Sequence, residues 1–166
     1  LPGDHLYVHA TINDKAVKRP YTPSSVAGTT GYFDLTVKRY EHGLVSKYLH
    51  DREVGDSVLM SGPNTGGHWV DGRAKRVGFV AGGTGITPMI SIIRWNLANG
   101  LDVEMFLVFA NNTEADIIFR DEWDANVREH AHFHVYHVLE QPPAGWMEGR
   151  GRITEEILRH HLPPPG

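Results

Sequence analysis

RPYTPSS, at residues 19–25, groups a guanidinium, a phenol ring and a row of hydroxyls around two prolines. A turn needs little more than a proline and a serine. This stretch therefore carries recognition chemistry beyond chain reversal: a planar cation suited to phosphate, a flat aromatic surface and short hydrogen-bonding groups. AGGTGITP, at residues 81–88, is a second such stretch. Glycines between a strand and a helix let backbone amides approach a ligand closely, and a helix start favours an anion. The pattern is not GxGxxG, and tight strand-to-helix turns also use glycine for packing alone. By itself it leaves ligand binding and packing open.

Other chemistries find less support. HFHVYH places His132 and His134 on one strand face and His137 on the other, and a histidine pair stands at residues 160–161. No third ligand follows at metal-site spacing, so these read as surface histidines and no metal site is expected. The absence of cysteine excludes disulfides and thiolate sites. No GxSxG is present for a hydrolase, and Asp51, Glu53 and Asp56 lack an acid–base spacing and read as a solvated face.

The elements that must position these residues fall into two halves. Up to residue 63 the chain reads as strands and turns. HLYVHATI (5–12) alternates, NDK turns, and AVKRPYTP extends through two prolines that confine it to an edge or a bend. YFDLTVKRY (32–40) is the clearest strand by composition, GLVSKYLHD is a short helix, and DSVLMSGP returns to strand. Short strands at close spacing predict a small antiparallel barrel. The glycine-rich segment 64–75 reads as a linker. From Arg76 the pattern becomes β-α-β-α-β-α: RVGFVA, then a helix with Thr87 as N-cap, Pro88 at its first position and Gly100 as its stop, then DVEMFLVFA. A helix around DIIFRDEWDANVREH, the strand HFHVYHVLE and a last helix starting near Thr154 complete it. This predicts a doubly wound parallel sheet.

A hydrophobic content of 40% and a charged content of 22% are those of a globular chain, and the apolar runs are too short for a membrane span. A net charge of −4 argues against a nucleic-acid partner. No secretory leader is visible, and lack of cysteine fits a reducing compartment, so the expected setting is cytoplasmic, or the cytosolic side of a membrane if an anchor precedes Leu1. The chain starts inside a strand-like pattern and stops at a proline run, which reads as a piece of a longer polypeptide.

RPYTPSS, GLVSKYL and GGTGITPM, in that order on a barrel followed by a parallel sheet, resemble the flavin-dependent reductases of the ferredoxin–NADP reductase superfamily, most nearly cytochrome b5 reductase and the flavin domain of nitrate reductase. FANNTEADIIFRDE and EGRGRITEEILRHHLPPP resemble further segments of that subgroup. The resemblance implies an FAD-binding barrel (partial) over 1–63 and an NAD-binding domain (partial) over 76–166. It also implies hydride transfer from NADH to FAD, then single-electron transfer to a haem or iron–sulfur protein. The alternative class is a non-catalytic module of a larger assembly that keeps the fold.

Residue by residue, the resemblance implies that Arg19 pairs with the FAD diphosphate, Tyr21 lies on the isoalloxazine and Thr22 hydrogen-bonds near its reactive edge, with Pro20 and Val37 in the same wall. Tyr40 packs near the adenosine half. Gly43 permits a tight turn, and Leu44, Val45 and Ser46 hold phosphate at a helix start. The family has Lys-Met where Leu44 and Val45 stand, so a charge is missing and a weaker FAD contact is expected. Gly82, Gly83, Thr84 and Gly85 bring the nicotinamide to the flavin, with Thr84 nearest the hydride path and Thr87 serving both helix cap and flavin. Thr22 and Thr84 are thus the expected catalytic residues. Lys38 matches a dinucleotide contact, Phe109 and Ala110 border the adenosine pocket, and Glu140 binds the ribose 2′-hydroxyl, with Glu114 and Asp116 as alternatives. Read without the resemblance, Tyr21 and Tyr40 are strand packing, Lys38 a solvated strand lysine and Glu140 an exposed strand end. His5 is expected to be structural. Relatives carry further strands at both ends and a Cys-Gly-Pro wall on the nicotinamide. This piece alone is therefore expected to hold FAD loosely, oxidise NADH slowly and self-associate through its edges.

Overall fold

The alternation of HLYVHATI folds as strand β1 (His5–Ile12), and the chain returns antiparallel as β2 (Lys15–Tyr21) in the computed structural model, which describes residues 1–65 and 69–164. Asn13 and Asp14 turn the hairpin at φ 51° and 60°, the left-handed pair whose twist matches the flanking strands. Helix α1 (Leu44–His50) precedes β3 (Leu59–Asn64), which takes the other side of β1. The sheet order β2-β1-β3 leaves Pro20 on an edge strand, where its missing N–H breaks no ladder.

YFDLTVKRY departs from expectation: no ladder forms over 32–40. Its backbone groups are satisfied singly instead. Asp34 O accepts from Ser24 N at 2.9 Å, Asp34 N donates to Ser25 Oγ at 3.1 Å, and Val37 O accepts from His50 Nε2 at 2.8 Å. A strand requires a neighbouring backbone, and propensity alone supplies none.

The second half is parallel throughout. It runs β4 (Arg76–Gly82), α2 (Ile86–Ala98), β5 (Glu104–Asn111), α3 (Arg120–Glu129), β6 (Phe133–Leu139), β7 (Gly149–Arg150) and α4 (Glu155–His161), with sheet order β4-β5-β6-β7. The core lies under α2 and α3, where Met105, Leu107 and Phe133 meet Ile90, Ile93 and Trp123, all essentially inaccessible. On the opposite face, Leu162 and Pro163 after α4 lie so close to Gly78 that a Cβ there would come within 3.2 Å of each. Helices thus cover both faces, as in a doubly wound sheet.

Local boundaries differ from the sequence reading at the starts of two helices, α2 and α3, and agree with it at α4. Gly83–Gly85 forms a 3-10 turn that runs directly into α2, so Gly85 is the N-cap and Thr87 and Pro88 are the second and third helical residues. Pro88 is tolerated there because first-turn N–H groups have no intrahelical acceptor. The helix expected from Asp116 begins only at Arg120: Glu114–Asp116 is a separate turn closed by a Thr113–Asp116 capping box, and Phe119 at φ 61° breaks the run. At the end, Thr154 Oγ caps α4 by accepting from Ile157 N at 3.3 Å.

The expected linker is partly structured. Residues 66–68 lie outside the described residues, but Trp69 is buried in the second half's core and its N–H donates to Pro2 O at 2.9 Å. Asp71 accepts from the Trp95 indole at 2.9 Å.

Candidate cofactor site

The edge of the antiparallel sheet, the extended 34–40 segment and the start of α1 enclose a cavity of about 280 Å³. Arg19, Pro20 and Tyr21 reach it from β2, and Val37, Lys38 and Tyr40 from the extended segment. Gly43, Leu44, Val45 and Ser46 reach it from the start of α1, and Thr84 and Thr87 from the parallel-sheet half. Thr36 also lines it and was missed; its signal was the strand-like alternation that places it with Lys38 and Tyr40.

Space and polarity explain the α1 side. A Cβ on Gly43 would fall 2.2 Å from Ser46 Oγ and 2.9 Å from Tyr40 Cβ, so no other residue fits. Ser46 is buried and its Oγ has no hydrogen-bond partner. Arg19 gives one Nη1–H to Lys18 O at 2.9 Å. Burial raises the Tyr21 hydroxyl above the ordinary phenol range; the Arg19 guanidinium opposes this and Tyr40 adds to it. Tyr40 closes the cavity against the other half, with its hydroxyl 2.9 Å from Thr84 Oγ1, while Thr87 Oγ1 donates to Thr84 O at 3.3 Å.

A second cavity of about 360 Å³ lies at the carboxyl ends of the parallel strands, lined by Lys38, Gly82, Gly83, Ala110, Asn111, Asp116 and Glu140 among others. Ligands of open α/β sheets bind in this crevice. Gly83 holds φ +48°, and a Cβ at Gly82 or Gly83 would meet nothing within 4 Å, so the backbone here is bared to the cavity. Lys38 borders both cavities and sits 3.0 Å from Asp116 Oδ1, across the two halves. Hydrogen bonds from Thr113 and then Lys38 hold the Asp116 carboxyl below the usual range. Glu140 is exposed, with Oε1 3.8 Å from Arg152 Nε, and its N–H donates to Asn111 O at 3.1 Å. Of its alternatives, Asp116 lines the cavity, while Glu114 faces Arg120 at 3.7 Å.

Some expected residues lie elsewhere. Phe109 is fully buried with its ring 6.4 Å from Trp123 and 6.0 Å from His137. Strand alternation sends Phe109 to the helices and Ala110 to the cavity. Thr22 is buried and lines neither cavity, and Gly85 lines neither. His137 is no surface histidine: burial lowers it to about 4. No grouping of three or more candidate ligands suits a metal among the described residues. Asn111 was missed as a candidate. It is 8% exposed, lines the second cavity, and neither amide atom has a partner. Its signal was position, since it ends the apolar run FLVFA.

Residues 1–69 match the family described as oxidoreductase FAD-binding domain, and residues 79–165 that described as oxidoreductase NAD-binding domain. The cytochrome b5 reductase domain of Ulva prolifera nitrate reductase superposes with a TM-score of 0.92 at 31% identity, over 99% of this chain and 71% of that one. This chain belongs to the cytochrome b5 reductase family. NADH-cytochrome b5 reductase 1 of Dictyostelium discoideum is 43% identical over 98% of this chain and 57% of its own length. The Debaryomyces hansenii protein of the same name is 42% identical over 97% of this chain and 57% of its own length. The chain thus spans less than two thirds of these curated family members. The residues fit the family's cofactors: Ser46 and Asn111 hold buried polar atoms without partners, one beside each cavity, and glycine backbone is bared at the second. No helix among the described residues is long and apolar enough to cross a membrane.

Proposed function

We propose that the two cavities form the site of an NADH-dependent FAD reductase that passes electrons singly to a haem or iron–sulfur protein. The observation that carries this reading is the Tyr40–Thr84 hydrogen bond, 2.9 Å, which joins the flavin-side wall to the glycine turn of the nicotinamide side. FAD, when bound, supplies the exchange between hydride and single-electron chemistry. The chain's own residues bind and orient. Arg19 offers a planar fork to a diphosphate, and Ser46 with the amides of Leu44 and Val45 offers donors beside it. Tyr21 and Tyr40 present aromatic faces, and Thr84, which lines the first cavity and follows Gly83 of the second, would stand between the two ligands. Thr22, buried next to Tyr21, supports the wall behind them. Lys38 serves both cavities, and Glu140 accepts from a ribose hydroxyl and repels a 2′-phosphate. No side chain needs to act as general acid or base.

The relatives' name, NADH-cytochrome b5 reductase, supports a haem protein as the acceptor. The test uses the full-length protein expressed with FAD. A yellow protein whose flavin absorbance bleaches anaerobically with one equivalent of NADH is the expected result. Colourless protein that takes up no FAD, or bound flavin that NADH leaves oxidised, overturns the reading in favour of a non-catalytic module.

A further inference from the structure

Arg94 stands outside both cavities, yet its side chain is 21% exposed and engages three parts of the molecule. It projects from α2, the helix that follows the Gly83–Gly85 turn and carries Thr87 in its first turn. Its Nε donates to Glu122 Oε1 at 2.8 Å and its Nη2 to Glu122 Oε2 at 2.5 Å, a two-pronged pair with α3. Its Nη1 donates to the carbonyl of Ser24 in the flavin half. The guanidinium also lies over the ring of Phe119, the left-handed residue just before α3, at 4.6 Å.

Ser24 is itself held on every side. It is 1% exposed, its N–H donates to Asp34 O at 2.9 Å, and its Oγ is 2.8 Å from Thr36 Oγ1. Thr36 lines the first cavity, and Ser24 follows Tyr21 by three residues. The chain from Arg19 to Ser24 is therefore fastened at its far end by a residue of the nicotinamide half. Glu122 fixes the guanidinium plane, so the Nη1 direction is set and not free to follow Ser24.

We infer that Arg94 is a positioning residue that sets the spacing between the Arg19–Thr22 wall and the Gly83–Thr84 turn. This rests on the reductase reading above, but the structural part does not depend on it. A guanidinium is required because one planar group must serve a carboxylate with two parallel N–H bonds and a carbonyl with a third. Lysine can serve one of the two partners. Hydride transfer is sensitive to small displacements, since a shift of about 1 Å costs roughly a hundredfold. Loss of Arg94 thus reduces the rate of flavin reduction by shifting one wall against the other, while every group that touches the cofactors keeps its chemistry.

The test uses the full-length holoprotein and the variants Arg94→Met, Arg94→Lys and Glu122→Gln. Flavin content and the NADH dissociation constant are expected within about twofold of the parent. Flavin reduction at saturating NADH is expected to fall about tenfold to a hundredfold in Arg94→Met and by a smaller factor in Arg94→Lys. Amide exchange of Ser24 is read in parallel on protein with or without NADH, and is expected to quicken in Arg94→Met and in Glu122→Gln. Glu122→Gln keeps this measurement available should Arg94→Met fail to fold. An unchanged reduction rate together with unchanged Ser24 exchange overturns the inference. Faster Ser24 exchange supports the fastening of Ser24 by Arg94 even if NADH proves not to reduce the flavin, a result that would sink the reductase reading alone.

Discussion

The two halves of the molecule bury different chemistry. In the nicotinamide half one apolar cluster runs from Trp69 to Leu139, with the helices α2 and α3 laid over the parallel strands. In the flavin half the buried apolar residues, among those described, are Val8, Ala10 and Val45, while Asp4, Thr22, Ser24 and Ser46 are buried polar groups. A two-sided parallel sheet covers itself with helices and closes an apolar interior. A three-stranded antiparallel sheet with one short helix encloses less, and the polar groups gather where the cavity is. The nicotinamide half is thus held by packing. The flavin half is held by hydrogen bonds and by contacts across to its neighbour such as Arg94 to Ser24.

The largest expected effect tests packing directly. Trp123 is fully buried in the nicotinamide half and its indole donates to Ile118 O at 2.8 Å. Trp123→Ala should cost about 3–5 kcal/mol by urea unfolding, while Val45→Ala in the flavin half should cost about 1–2 kcal/mol. Equal losses would break the contrast between the halves.

Next comes a pH dependence confined to the nicotinamide half. His137 is held neutral by burial, with its pKa lowered from 6.5 to about 4. A lowered pKa means the unfolded chain binds the proton first as pH falls. The contribution is therefore present above about 6.5 and is lost progressively toward about 4, up to about 3 kcal/mol. Glu148, raised by burial, has the opposite sign and offsets part of the loss in acid. Unfolding midpoints between neutral pH and pH 4.5 should drop in the parent protein and drop less in His137→Phe. A parallel drop in both would show that another group carries the dependence.

The flavin half should answer to its ligand instead. Arg19→Ala should weaken FAD binding by roughly 10- to 150-fold, the equivalent of about 1.5–3 kcal/mol for a charge-assisted contact. Ser46→Ala should lose less, since backbone amides share that load. FAD at about a hundred times its Kd should stabilise the fold by about 2.7 kcal/mol, with amide protection rising more in β1–β3 than in β4–β6. FAD titration of apoprotein and hydrogen exchange measure both, and uniform protection would argue that the halves respond as one body.

The smallest effect is on coenzyme choice. Glu140 is half-exposed beside Arg152, so its repulsion of a 2′-phosphate is screened. Glu140→Thr should narrow the NADH-to-NADPH ratio of kcat/KM by about tenfold or less. An unchanged ratio would move the role to Asp116, which shares the cavity.

Much of this layout was readable along the chain because its causes act over a few residues. The Asn13–Asp14 hairpin, the Pro20 edge, the Thr154 cap and the strand–glycine–helix turn at residues 81–88 follow from local sterics and from periods of two and 3.6 residues. The motifs RPYT, GLVS and GGTG named three stretches of the first cavity's wall for the same reason, each being a short backbone geometry with its own side chains. What failed depended on the other side of a contact. Residues 32–40 have strand composition but find no strand to pair with, and the two residues of β7 pair without any pattern to announce them. The continuous apolar run FLVFA conceals which alternate residues face the helices, so Phe109, expected beside Ala110 at the pocket, is buried in the core instead. His137 and Trp69 sit in polar or glycine-rich stretches, yet the fold buries both. The sequence by itself determined most of the elements, their order and the local shape of each binding turn, because those are settled by neighbours in the chain. Only the tertiary structure decided which faces are covered, which strands pair and that Arg94 reaches Ser24, because pairing and burial depend on residues 70 positions apart along the chain coming into contact.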